Sequence, residues 1–232
     1  MRTAVLVIGL LLATTSVALG INKPEPVVYY PAAGADAAVP VALWLHGYRA
    51  FPSVLEDKEY FQAMADKLHV AIVGIPATTL LDDGTPVWSE EPAADHAYLQ
   101  EVLAELAKKN KLDMEKVALF GFSQGAMVAG DLCARYPQSY RGGILMSPGG
   151  ITSPKASAPR PDLNKRQILF ITCGAKEHPY NIAMAHAYTN WFQKLGSNVT
   201  AKEYPDQDKH TRPADFKERF PEWIGTIFGK SP

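Results

Sequence analysis

The chain has 232 residues, with 23 basic and 24 acidic side chains, a formal net charge of −1 and 47% hydrophobic residues. That length suits one domain with a large core, and the balanced charge excludes the electrostatic field that nucleic acid or an anionic membrane would need. Two cysteines, Cys133 and Cys173, are too few for a disulfide scaffold, and their apolar surroundings read as buried free thiols.

Residues 1–20 stand apart. Arg2 precedes an apolar run from Ala4 to Ala13, and small and polar residues end at Ala18-Leu19-Gly20. This is the layout of a secretory signal, and the run is short for a spanning helix, which needs about twenty residues. A domain of residues 21–232 is therefore expected, secreted or periplasmic, with no stable membrane insertion. Val27 to Tyr30 predicts a strand, and Val39 to Leu45 a second, ending in His46-Gly47. Helical spacing runs from Leu55 to Leu68 through Phe61, Met64, Ala65 and Leu68. Val70 to Ile75 is a strand closed by Pro76, and Ala77 to Glu91 a polar loop with the turn Asp82-Asp83-Gly84. Asp95 to Lys109 is a helix whose apolar face carries Leu99, Val102, Leu103 and Leu106. Lys116 to Phe120 reads as a buried strand and Ala126 to Tyr136 as a helix. Strands follow at Gly143 to Met146 and Gln167 to Cys173, then a helix at Pro179 to Leu195. Val199 to Tyr204 is the last strand and Pro213 to Phe228 the last helix. Between Ser147 and Arg166 a Pro/Ser/Lys-rich stretch has no helical period and is too short for a cap domain. Such alternation predicts an α/β fold, with a mostly parallel central sheet, helices on both faces and a site at the carboxyl ends of the strands.

One pattern sits at such an end. Gly121-Phe122-Ser123-Gln124-Gly125 lies between a predicted strand and a predicted helix. In that context G-x-S-x-G is a nucleophile elbow, a turn so tight that glycine is required beside the serine. Serine needs a histidine base, itself oriented by a carboxylate, and in an α/β-hydrolase they follow in the order Ser, acid, His. Of six histidines, His178, His186 and His210 follow Ser123. His210 lies in the polar loop between the last strand and the last helix, where the fold delivers its base. Glu177 is the first carboxylate beyond the strand ending at Cys173. Asp206 and Asp208 share the loop of His210 and rank lower, as does Asp162 in the irregular stretch. The backbone N–H groups of Gln124 and Tyr48 are the expected oxyanion donors. His46 belongs to a His-Gly turn before the nucleophile and reads as structural. No H-E-x-x-H, C-x-x-C or glycine-rich phosphate loop occurs, so neither metal nor nucleotide cofactor is expected.

These residues together resemble the α/β-hydrolase superfamily, specifically its small lidless carboxylesterases, over roughly Val27 to Phe228. Leu45-His46-Gly47 and Gly121 to Ala126 look like the phospholipase/carboxylesterase (acyl-protein thioesterase) group. Asp83-Gly84-Thr85-Pro86-Val87-Trp88, followed by Asp95, looks more like the polyhydroxybutyrate depolymerase and feruloyl esterase group. Two departures from the pattern are Glu177, where aspartate is usual, and Lys209, where glycine often precedes the histidine. The resemblance implies a serine carboxylesterase with a Ser123-Glu177-His210 triad and an acyl-enzyme. Its partner would be a small-molecule or polymer ester. An open mouth flanked by Tyr48, Phe51 and Trp88 would suit short or medium acyl or aryl groups. The alternatives are a peptidase of the same superfamily and a non-catalytic binding module that retains the fold.

Overall fold

The computed structural model describes residues 25–32, 37–50, 55, 57–77, 79–89, 91–149 and 161–230. The leader reading for 1–20 and the aromatic at Phe51 lie outside the described residues. Strands β1 (Val27–Tyr29) and β2 (Val39–Leu45) are followed by α1 (Lys58–Leu68) and β3 (Ala71–Ile75). Next come the short strands β4 (Thr79–Leu80) and β5 (Pro86–Val87), then α2 (Pro92–Ala107). The centre of the chain is β6 (Leu112–Phe122), α3 (Gln124–Arg135) and β7 (Gly142–Met146). After α4 (Pro161–Asn164) the order is β8 (Ile168–Gly174), α5 (Pro179–Leu195), β9 (Asn198–Tyr204) and α6 (Phe216–Phe228).

Seven strands form one sheet in the order β1-β3-β2-β6-β7-β8-β9. Only the β1–β3 pair is antiparallel within it; every other pair is parallel. A parallel strand is covered on both faces, so it needs apolar residues at odd and even positions alike. β2 meets this requirement with all seven residues buried. Its Val41, Leu43 and Leu45 point into a core built with α2, α3 and α5. Ala42 and Trp44 point the other way, against α1 and α6. Helices therefore cover both faces, as expected for an α/β-hydrolase.

Helix ends have local causes. Asp57 accepts the Tyr60 N–H at the start of α1, and Lys230 Nζ donates to the carbonyls of Leu68 (2.7 Å) and His69 (2.9 Å) at its end. Pro179 opens α5 and Gly196, at φ 83°, closes it.

Three expectations need correction. The polar loop of residues 77–91 contains an antiparallel hairpin, β4 with β5, and Val87 is buried. Its strands are two residues each, too short for an alternation to register. The elbow strand is longer than its apolar run, because Leu112 also pairs with Val39. The stretch after Ser147 includes the one-turn helix α4, in which Asp162 lies. Among the described residues no cap domain covers the carboxyl end of the sheet, and no helix is long and apolar enough to cross a membrane.

Candidate active site

The elbow joins β6 to α3. Ser123 sits at φ 56°, ψ −121°, outside the regions open to most side chains. Such a residue costs on the order of 1–3 kcal/mol and persists only where its surroundings over-determine it. Those surroundings are backbone. A Cβ on Gly121 would stand 2.5 Å from the Gly125 carbonyl, and one on Gly125 only 2.0 Å from the Leu45 carbonyl oxygen. The Ser123 N–H donates to Met146 O at 3.1 Å, so the turn is also tied to β7. Gly125→Ala is accordingly expected to cost at least about 3 kcal/mol of stability, because the obstacle cannot rotate away. Thermal unfolding of the variant checks this; a wild-type melting temperature would show that the elbow yields.

The loop after β9 brings His210 over this serine. Ser123 Oγ donates to His210 Nε2 at 2.9 Å, and His210 Nδ1–H donates to Glu177 Oε2 at 2.9 Å. Both contacts together select the Nδ1–H tautomer, which leaves Nε2 free to take the serine proton. Glu177 follows β8, and its carboxylate is buried while His210 reaches solvent. Asp206 instead pairs with Lys176 at 3.4 Å, and Asp208 is exposed. The fold thus brings Ser123, His210 and Glu177 together.

What holds the carboxylate has no sequence motif. Glu177 Oε1 accepts from Ser147 Oγ (2.7 Å), Gly174 N (2.8 Å) and Gln207 Nε2 (2.8 Å). Asn181 Nδ2 adds a longer contact to Oε2, at 3.3 Å. Ser147 makes its bond from a backbone at φ 43°, a second strained residue beside the first. Burial pushes the Glu177 carboxyl up, but the bonds from Ser147, His210 and Gly174 and the charge of His210 outweigh it and hold the group below its ordinary 4.5. The unfolded chain therefore takes up this proton before the folded one does. Stability from Glu177 is fully present above pH 4.5 and is lost as pH falls through the lower folded value. Glu177→Gln should remove that part of the acid sensitivity. Denaturant titrations from about pH 3 to 6 measure it, and identical acid slopes in both proteins would contradict the bonded carboxylate.

The remaining predicted groups lie around the serine. Gln124 is the first residue of α3, where a helix leaves its N–H groups without intrahelical partners. Its side-chain oxygen accepts the Trp88 N–H at 3.3 Å. The loop carrying Tyr48 runs past the nucleophile: a Cβ on Gly47 would lie 3.4 Å from Ser123 Cβ. That is ordinary contact, so backbone crowding is not what calls for glycine there. His46 is structural, as expected. It is buried, its Nδ1 lies 2.8 Å from Gly47 O, and its Nε2 accepts the Ala77 N–H at 2.9 Å. Burial lowers its pKa, which keeps the ring neutral in this role. Trp88 is a correction. It does not flank the mouth but is buried, with Nε1 donating to His46 O at 2.8 Å. Tyr48 remains exposed. Cys133 and Cys173 are buried and unpaired. Among the described residues no cluster of His, Cys, Asp and Glu has the makings of a metal site.

A model of the phospholipase/carboxylesterase family matches residues 87–224, more than half of the chain, including the elbow and the turns bearing Glu177 and His210. The chain belongs to this family. The solved structures agree on the fold. The Bacillus cereus carboxylesterase superposes with a TM-score of 0.65 at 21% identity, over 88% of this chain and 94% of that one. A ferulic acid esterase gives 0.68 at 14% identity, over 87% and 91%. The protein NocK of Nocardia uniformis subsp. tsuyamanensis, whose name places it among esterases, is 29% identical over 120 residues. The match takes in 50% of this chain and 35% of NocK, so the chain spans about a third of that relative's length. In this member of the phospholipase/carboxylesterase family Glu177 reaches His210 with one carboxylate oxygen only. Three donors hold Oε1 of Glu177 back, so that Oε2 meets the histidine.

Proposed function

We propose that this protein is a serine carboxylesterase acting through Ser123, His210 and Glu177. The observation that carries this reading is the unbroken Ser123–His210–Glu177 chain of two 2.9 Å contacts at a strained elbow. His210 Nε2 removes the Ser123 proton as Oγ attacks the ester carbonyl. The tetrahedral oxyanion is held by the amides of Tyr48 and Gln124, and protonated His210 then gives its proton to the departing alcohol. Water, deprotonated by the same nitrogen, adds to the acyl-enzyme and releases the acid, and the proton returns to Ser123. Glu177 steadies the imidazolium at each half-reaction.

The substrates proposed are short or medium acyl or aryl esters. Support comes from the lack of a cap among the described residues and from exposed Tyr48 at the edge of the site. We also propose that the protein is exported, on the composition of residues 1–20. Purified full-length protein incubated with 4-nitrophenyl esters of increasing acyl length tests the activity. Turnover on the order of 1–10³ s⁻¹, falling for long chains, is expected; absence of hydrolysis across the series overturns the reading. Mass spectrometry of the exported protein should find an N-terminus near Ile21, and an intact Met1 would contradict cleavage.

A further inference from the structure

A groove of about 440 Å³ opens between the end of β6 and the segment from His210 into α6. Phe122, His210, Arg212, Phe216 and Lys217 line it. The Phe122 ring lies 4.7 Å from the His210 ring, so the groove begins at the site itself. The guanidinium of Arg212 stands 5.3 Å from the centre of the Phe216 ring, a cation–π contact that steadies the fork without engaging its N–H donors. Arg212 is half-buried, and burial lowers its pKa.

Its neighbours are already matched. Lys217 pairs with Asp57 at 2.5 Å, and Asp215 takes Lys202 (3.1 Å) and Arg219 (3.4 Å). Among the described residues no carboxylate lies within ion-pair distance of Arg212. A partly desolvated cation over an aromatic ring is costly unless an anion meets it. One guanidinium carries one charge and a planar fork, the complement of a single carboxylate.

We propose that this groove is a subsite for a carboxylate borne on the alcohol portion of the ester, with Arg212 as its counter-charge. The proposal rests on the esterase reading above. His210 Nε2 lies 2.9 Å from Ser123 Oγ and hands its proton to the leaving oxygen, and His210 also lines the groove, so the groove adjoins the residue beside which the alcohol portion departs. Phe122, partly exposed beside His210, would receive the apolar body that joins that oxygen to the acid. The substrate class is therefore an ester of a hydroxy acid, cleaved at the hydroxyl side.

The test compares 4-acetoxybenzoate with its neutral counterpart 4-acetoxybenzamide, on the full chain at low ionic strength. The wild type should prefer the anion, and Arg212→Gln should lower the anion-to-neutral ratio of kcat/KM about tenfold, as expected for loss of a charged hydrogen bond. Arg212→Lys, which keeps the charge but not the fork, should fall between them. Calorimetric titration with 4-hydroxybenzoate reads the groove without turnover: wild type should bind it about tenfold more tightly than Arg212→Gln. An anion-to-neutral ratio and a 4-hydroxybenzoate affinity both indifferent to residue 212 would overturn the subsite. If the wild type hydrolyses neither ester, the esterase reading fails while the calorimetry still decides the groove.

Discussion

Ser123→Ala is expected to lower kcat for 4-nitrophenyl acetate by about 10⁵-fold or more, the scale on which a serine nucleophile acts with its histidine. The fold should survive. Ser123 Oγ makes one hydrogen bond, to His210, on the solvent-facing side of the site. The backbone bond from Ser123 N to Met146 O does not involve the side chain, and alanine keeps the same Cβ in the same strained turn. Loss of one such bond is worth about 1 kcal/mol, which for a domain of this size shifts the melting temperature by about 2–4 °C. The steady-state rate and a thermal melt on one preparation separate these effects. Activity above a few per cent of wild type would remove Ser123 from the role of nucleophile.

Glu177→Gln is expected to cost about 10⁴-fold in kcat with the fold retained. The bonds around the carboxylate explain why the amide is so damaging. Ser147, Gly174 and Gln207 all direct donors at the Oε1 position, so the new amide must turn its oxygen there. Its NH₂ then faces His210 Nδ1, where Oε2 now accepts. An N–H donor at that point imposes the Nε2–H tautomer, and Nε2 can no longer take the Ser123 proton. Glu177→Asp should be milder, since the charge survives and only the reach shortens by one methylene. The kcat of the three proteins on one ester checks the order. A Glu177→Gln enzyme within tenfold of wild type would show that the carboxylate does not set the tautomer.

Much of this architecture was legible in the chain. β2 and β6 announce themselves because strands covered on both faces are continuously apolar, and the elbow because a strained serine needs glycine at 121 and 125. His210 and Glu177 followed from chain order and from their positions after β9 and β8. The cradle of Glu177 was not legible. Ser147 and Gln207 each lie 30 residues from Glu177, in segments without a repeating pattern, and acquire a role only when β7, β8 and the loop after β9 converge. Trp88 misled for a related reason. A tryptophan in a polar loop reads as surface, yet the His46 carbonyl satisfies its N–H and so permits its burial. The β4–β5 hairpin leaves too few residues per strand for any period to show.

The most direct test of the central claim, that His210 and Glu177 activate Ser123, is to treat the full-length protein with a fluorophosphonate and map the adduct by peptide mass spectrometry. A hydroxyl lacking an activating base reacts poorly with such a reagent, so labelling reports the activated oxygen itself. The account predicts a single phosphonylated residue, Ser123, with labelling greatly slowed in His210→Ala. No adduct on the folded protein, or an adduct on Ser147 in place of Ser123, would contradict it.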